Sequence, residues 1–223
     1  MISIRSGFWR NLVTGGLITF IPLVIFISYS YSVYRVPMEY KITFPASITY
    51  KINWNDIYRL QFPAEITQDT LAWLDYVLGE LHAAGTDKVC LIISSYGGYV
   101  DDTIAMYDVI MRYRRTGMTI YTYAEGYAMS GGTILLMAGE KRFMSPNAIL
   151  LIHHPYCPSF IPFWDIGTRK QIRESLDVSD GKMRGIYLLT TQNLEFLNLY
   201  DTTSQIWLTP EQAMKYGLID GVI

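Results

Sequence analysis

The chain has 223 residues, of which half are hydrophobic and only 17% are charged, with a formal net charge of -2. This length suits one ordinary domain with an appendage, and the charged fraction is low compared with the quarter that is usual in soluble domains. The sequence has no basic run, which argues against a nucleic-acid partner. It also lacks metal-ligand spacings such as CxxC and HExxH, so we expect neither a metal nor a cofactor.

An apolar segment without charges covers residues 12–34. About 20 apolar residues span the hydrocarbon core of a bilayer, so we predict one transmembrane helix in a membrane anchor at residues 1–41. No good small-x-small cleavage site precedes Arg35, which favours an uncleaved anchor over a signal peptide; a buried core helix is the other alternative. Two arginines precede the segment, and the positive-inside rule then places the following domain outside the cytoplasm.

From residue 42 onward, strand-like and helix-like runs alternate, which predicts one layered α/β domain over residues 42–223. Strands are predicted at 48–52, 58–62, 88–94, 119–124 and 149–153. Helices are predicted at 67–81, 101–113, 131–138 and 163–189. Thr67 occupies the N-cap position of the first helix. A final helix begins at Thr209, has Pro210 at its first position, and ends at Gly217.

The first stretch suited to chemistry is SSYGG, at residues 94–98, which follows a continuous apolar strand. Its two glycines let backbone N–H groups approach a ligand closely. Such N–H groups suit a developing oxyanion. The alternative is structural, because strand-to-helix turns often need glycine.

The second stretch is AMSGG, at residues 128–132, and the third is IHHP, at residues 152–155. Ser130 lies between a strand and a buried helix, at the positive end of the helix dipole, where it is a candidate nucleophile or simply an N-cap. His153 ends a strand and is a candidate general base, provided that it lies within hydrogen-bond reach of the nucleophile. His82, in a helical run, is predicted to be a surface residue.

These stretches, with AGEKRFMSPN and TPEQAMKYGLID further along, resemble the Clp protease proteolytic subunit family, in the superfamily that includes crotonase and signal peptide peptidase A. The resemblance covers residues 56–223 and implies a ClpP/crotonase-like layered domain of repeated ββα units. It also implies a serine-type endopeptidase that acts on a peptide or protein substrate through an acyl-enzyme and assembles as a homo-oligomer.

The resemblance assigns roles residue by residue. Ser130 takes the nucleophile position and His153 takes the base position, while Gly98 and Gly131 take the oxyanion-hole positions. His154 falls on a glutamine position of the family pattern and is not predicted to be catalytic.

The chain departs from the family pattern at several points. Tyr96 replaces the turn proline, and the AGEKRF segment is shortened. Counting back from Pro210 places the family's aspartate position on Ser204, so we predict the nearest acid, Asp201, as the third member of the triad. The N-terminal loops that dock an ATPase are replaced by the predicted membrane segment, and an ATPase partner is therefore not carried over.

Three alternatives stay open at this point. A Ser/Lys protease similar to signal peptide peptidase A would use Lys182, on the long helix, as its base. A non-catalytic binding or scaffold protein would keep the fold without a complete triad. A crotonase-type enzyme would act on a coenzyme A thioester, and likeness of fold alone does not exclude it.

Overall fold

The computed structural model describes residues 39–41, 51–53, 56–157 and 165–223. The transmembrane helix predicted at residues 12–34 and most of the strand predicted at residues 48–52 lie outside the described residues. Among the helices that are described, none is both long and apolar enough to cross a membrane.

The described elements follow the predicted alternation. The strands are β1 (Glu39–Lys41), β2 (Lys51–Asn53), β3 (Tyr58–Gln61), β4 (Glu65–Ile66), β5 (Lys88–Ser95), β6 (Gly97–Gly98), β7 (Thr119–Met129), β8 (Arg142–Met144), β9 (Ile149–His153), β10 (Gln205–Leu208) and β11 (Gly221–Val222). The helices are α1 (Gln68–Ala83), α2 (Val100–Arg115), α3 (Gly131–Met137), α4 (Ile166–Thr191), α5 (Leu194–Thr202) and α6 (Pro210–Lys215). The order contains the predicted ββα units, as β3-β4-α1, β5-β6-α2 and β8-β9-α4.

The main sheet has the strand order β10-β9-β7-β5-β3, in which neighbours are parallel except for the antiparallel pair of β10 and β9. β7 changes its partner along its length. Residues 122–124 pair with β8, whereas residues 127–129 pair with β9. Because β7 ends at Met129, the next residue, Ser130, lies beside the C-terminal end of β9.

Helix α3 is buried along its whole length. It packs against β7 and against α2, and its Ile134, Leu135 and Leu136 belong to the main apolar core. Burying an aliphatic side chain of this size stabilises a fold by roughly 1.5–3 kcal/mol. The backbone that follows Ser130 is therefore held on all sides by packed side chains.

Helix α5 and strand β10 are not predicted from the sequence. Helix α4 ends where Gln192 adopts a left-handed conformation, and α5 begins at once because the Asn193 side chain accepts a hydrogen bond from the Phe196 N–H. Strand β10 has only four residues, which are alternately exposed and buried. Both elements are too short for periodicity to reveal them.

Candidate active site

Ser130 adopts a backbone conformation that is rare for a residue with a side chain, with φ 52° and ψ -124°. A non-glycine residue at positive φ is strained by about 1–3 kcal/mol and persists only where the surroundings impose it. Here the Ser130 N–H donates to the carbonyl oxygen of Leu151 on β9 at 2.7 Å. Such a sharp strand-to-helix turn exposes a serine hydroxyl, as in the nucleophile elbow of other hydrolases.

Hydrogen bonds from α3 and α4 hold this turn. The Thr133 hydroxyl donates to the carbonyl oxygen of Ser130 at 2.6 Å, and the Thr133 N–H donates to the same oxygen at 2.9 Å. The hydroxyl of the buried Tyr187 lies 2.5 Å from the Thr133 hydroxyl. Because the single Thr133 hydroxyl proton goes to the Ser130 carbonyl oxygen, the Tyr187 hydroxyl is the donor to Thr133.

Glycines surround Ser130 because side chains do not fit there. Gly97 has φ 96°, and a Cβ atom on it would lie 2.7 Å from Cβ of Ser130 and 2.9 Å from the backbone nitrogen of Gly131. A Cβ atom on Gly98 would lie 2.0 Å from the carbonyl oxygen of Ile66 on β4. The SSYGG turn and the AMSGG turn are therefore in direct contact, as their predicted roles require.

Tyr96, which stands where the family pattern has proline, stacks on Tyr127 with their ring centroids 4.4 Å apart. Proline stiffens a turn by fixing its own φ. Here an aromatic contact links the turn before Gly97 to the strand that leads into Ser130. The stacking of Tyr96 on Tyr127 thus takes the place of the proline of the family pattern.

His153 is the last residue of β9 and is half-buried. Its Nδ1 lies 2.7 Å from the carbonyl oxygen of His154, and its ring lies 5.5 Å from that of Tyr156, between centroids. Within the described part of the chain, neither Nε2 of His153 nor the Ser130 hydroxyl has a hydrogen-bond partner. In structures without substrate, catalytic hydrogen bonds are often long and tighten only in the complex.

Ser130 and His153 line the same cleft, which has a volume of about 1030 Å³. Gly98 and Gly131 line it as well, so the structure brings four of the five predicted site residues together. Exposed tyrosines from three turns border the cleft, and apolar side chains of α4 close its other side; these are Tyr96, Tyr99, Tyr156, Ile172, Leu176 and Met183. A cleft of this volume is large enough for several residues of an extended peptide.

The fifth predicted residue, Asp201, is not among the residues that line the cleft. It lies on α5, and Arg184 on α4 donates to both of its carboxylate oxygens, each at 2.7 Å. Hydrogen bonding by Arg184 lowers the pKa of Asp201. The structure therefore pairs Asp201 with an arginine and does not place it against His153, so its role as triad acid stays a prediction.

The residue opposite His153 is one that the sequence analysis does not single out. In the antiparallel pair of β9 and β10, Gln205 is the cross-strand partner of His153. Counting back along the sequence gives Ser204, one position away. Only the pairing of the strands shows that an amide side chain occupies the neighbouring position.

Both ring nitrogens of His154 have hydrogen-bond partners, which the sequence does not predict. Its Nδ1 lies 2.8 Å from Oδ1 of Asp180, and its Nε2 lies 3.0 Å from the carbonyl oxygen of Tyr200. Lys182, the base of the Ser/Lys alternative, and His82, predicted to be a surface residue, do not line the cleft. Lys182 is exposed on α4, and His82 is exposed in the last turn of α1, as predicted.

Within the described residues, no group of three or more histidine, cysteine, aspartate or glutamate side chains could hold a metal ion.

The mostly parallel sheet, its ββα units and the serine at a strand-to-helix turn define a ClpP-like α/β protein. The chain matches the Clp protease family over residues 60–223 and belongs to this family. Among solved structures, a ClpP1 mutant from Listeria monocytogenes has a TM-score of 0.61 at 22% identity, over 74% of this chain and 90% of that chain. This likeness supports the fold.

Two curated relatives are each about one third identical to this chain over the aligned residues. The chain is 33% identical over 140 residues to ATP-dependent Clp protease proteolytic subunit 2 of Chlamydia trachomatis, covering 62% of this chain and 66% of that protein. It is 35% identical over 138 residues to the ATP-dependent Clp protease proteolytic subunit of Deinococcus radiodurans, covering 61% and 65%. The match thus spans slightly less than two thirds of the length of these relatives. The comparisons favour neither the Ser/Lys protease nor the crotonase-type enzyme.

Proposed function

We propose that this chain is a serine peptidase that hydrolyses peptide bonds through an acyl-enzyme on Ser130, with His153 as general base. The observation that carries the proposal is the strained Ser130 turn, which lies in one cleft with His153, Gly98 and Gly131. Family membership supports the same chemistry, because the matched relatives are named as proteolytic subunits.

In the first half of the reaction, Nε2 of His153 takes the proton of the Ser130 hydroxyl while Oγ attacks the carbonyl carbon of the substrate. The C=O electrons move onto the oxygen, and backbone N–H groups stabilise the resulting oxyanion. When the tetrahedral intermediate collapses, the C–N bond breaks and His153 gives its proton to the leaving amine. A water molecule then repeats the sequence on the ester and frees Ser130.

Gly98 and Gly131 are the proposed donors to the oxyanion. The Tyr99 N–H donates to the Ile66 carbonyl oxygen on β4 at 3.0 Å. Because successive N–H groups of an extended segment point to opposite sides, the Gly98 N–H points away from β4. The Gly131 N–H belongs to the first turn of α3, where backbone amides have no partner within the helix. Both glycines line the cleft that contains Ser130.

Labelling with a fluorophosphonate tests the nucleophile and its base. We expect the folded wild-type chain to be modified at Ser130 and the Ser130→Ala variant to be unmodified. The His153→Ala variant should react more slowly by a factor of about 10³ or more. Mass spectrometry of the digested protein locates the adduct. Ser94→Ala is the matched control, because Ser94 lies on β5 with its hydroxyl bonded to the Glu125 carbonyl oxygen.

Two results would contradict the proposal. A folded wild-type chain that takes up no label would favour the scaffold alternative. Labelling that survives His153→Ala but is lost in Lys182→Ala would favour the Ser/Lys protease.

Membrane attachment through residues 12–34, with the cleft outside the cytoplasm, is a second part of the proposal, and it is supported by the sequence alone. A membrane-impermeant maleimide tests it, because Cys157 lines the cleft whereas burial raises the pKa of Cys90 to about 12 and thiolates are the reactive form. We expect modification in right-side-out vesicles, protection in inverted ones, and loss of the signal in Cys157→Ser. Recovery of the full-length chain in the soluble fraction would contradict attachment.

Assembly into a homo-oligomer is supported by the family relationship. Light scattering of the detergent-solubilised chain tests this part, and a mass equal to one chain would contradict it.

A further inference from the structure

The orientation of His153 rests on a bond to the backbone of the next residue, His154. A carbonyl oxygen only accepts, so the 2.7 Å contact between Nδ1 of His153 and the oxygen of His154 requires the proton of the neutral ring to be on Nδ1. Nε2 then carries the lone pair that a general base needs. In the Ser-His-Asp arrangement, the buried aspartate fixes the same tautomer.

The His154 carbonyl is held because the His154 side chain is bonded at both ends. Nδ1 faces a carboxylate oxygen of Asp180 and Nε2 faces the carbonyl oxygen of Tyr200. Both partners are acceptors, so each lies where a ring N–H can donate to it. The two bonds connect the end of β9 to α4 and to α5.

A third bond closes this cluster. The Tyr200 hydroxyl donates to the same Asp180 oxygen at 2.5 Å. Burial, together with the bond to Asp180, raises the pKa of Tyr200, so its hydroxyl remains a donor. The Tyr200 ring also packs on the His154 ring, with centroids 4.6 Å apart.

Carboxylates do not occupy the position beside Nδ1 of His153 in the described part of the chain. Gln205 is the cross-strand neighbour, and both oxygens of Asp201 are bonded to Arg184. Asp180 bonds to His154 and Tyr200. The backbone oxygen of His154 is the acceptor that remains.

We infer that the carbonyl oxygen of His154 orients the general base, and that His154 is a positioning residue, fixed by Asp180 and Tyr200. The inference rests on the proposed function of Ser130 and His153. On this inference the reaction requires no triad acid, and its proton steps are those given above.

The test compares three variants by the rate of Ser130 labelling and by peptidase kinetics. His154→Leu removes both anchoring bonds, and we expect kcat to fall about 10- to 100-fold with KM within about twofold, the size typical of losing an outer-shell hydrogen bond. Glu195→Gln is the matched control: it breaks the exposed ion pair between α5 and Lys215, outside the His154 cluster, so kcat should stay within about threefold. His154→Gln, whose amide can donate, should recover part of the lost rate.

A structural readout separates this inference from the proposed function. The chain has three histidines, so ¹⁵N NMR of histidine-labelled protein resolves His153, assigned through His153→Ala. We expect the neutral ring to show a pyrrole-type Nδ1 and a pyridine-type Nε2, and His154→Leu to mix the tautomers.

Three outcomes would overturn the inference while leaving Ser130 reactive. They are a neutral His153 protonated at Nε2, wild-type kcat in His154→Leu, and an equal loss of kcat in Glu195→Gln and His154→Leu. A wild-type chain that shows the expected tautomer but no labelling would instead contradict the proposed function.

Discussion

Replacing Gly97 with alanine is expected to abolish labelling of Ser130 and to lower the free energy of unfolding by about 3 kcal/mol. Its φ of 96° strains any residue with a side chain, at roughly 1–3 kcal/mol. The new Cβ would also lie 2.7 Å from Cβ of Ser130 and 2.9 Å from the Gly131 nitrogen. Neither is the end of a flexible side chain, so the Ser130 turn itself has to move. Urea denaturation and fluorophosphonate labelling measure the two effects.

Gly117→Ala separates strain from crowding. Gly117 has φ 99°, nearly that of Gly97, but nothing lies within 4 Å of the Cβ that alanine would add. We expect this variant to lose only the strain energy, about 1–2 kcal/mol, and to label at the wild-type rate. Equal destabilisation of the two variants, with Ser130 still reactive in Gly97→Ala, would show that the close contact between the two glycine turns is unimportant.

Replacing His153 with alanine is expected to lower kcat/KM for peptide hydrolysis by 10⁴-fold or more, on the order of the loss when a catalytic base is removed from a serine protease. Among the described residues, the half-buried ring bonds only to the adjacent backbone carbonyl, so the fold should remain intact. Steady-state hydrolysis of a fluorogenic peptide, with circular dichroism to verify folding, measures the effect. His82→Ala, on the exposed end of α1, is the control and should leave the rate unchanged.

Asp201→Asn belongs in the same series, because it decides whether the predicted triad acid takes part. If the His154 carbonyl orients His153, the variant should keep kcat/KM within about threefold, since it loses only a surface ion pair with Arg184. A loss of about 10⁴-fold would instead show that Asp201 leaves Arg184 and acts as the acid.

The sequence predicts well those features that depend on neighbouring residues. Thr67 caps α1 through a reciprocal bond with Thr70, and β5 follows the apolar run at residues 88–94. The strand-serine-helix order around Ser130 is likewise local. Periodicity, caps and glycine turns carry these signals because each involves residues a few positions apart.

The cross-strand neighbour of His153 could not be predicted, because it depends on contacts between distant segments. Gln205 lies opposite His153 only through the register of β9 and β10, and a shift of one residue moves every side chain of a strand to the other face. Asp201 is the acid nearest to Ser204 in the sequence, but it lies on α5, where it bonds to Arg184. The register of β9 and β10 therefore determines which side chain lies opposite His153.

The outer position of β10 has a consequence for biosynthesis. During synthesis, a chain leaves the ribosome from its N-terminus. Ser130 and His153 therefore emerge before Tyr200, which bonds to His154, and before the strand that pairs with β9. On the proposed function, a nascent chain has the nucleophile and the base but not the contacts that position them. Proteolytic competence would then be acquired only near the end of translation, which would protect the growing polypeptide.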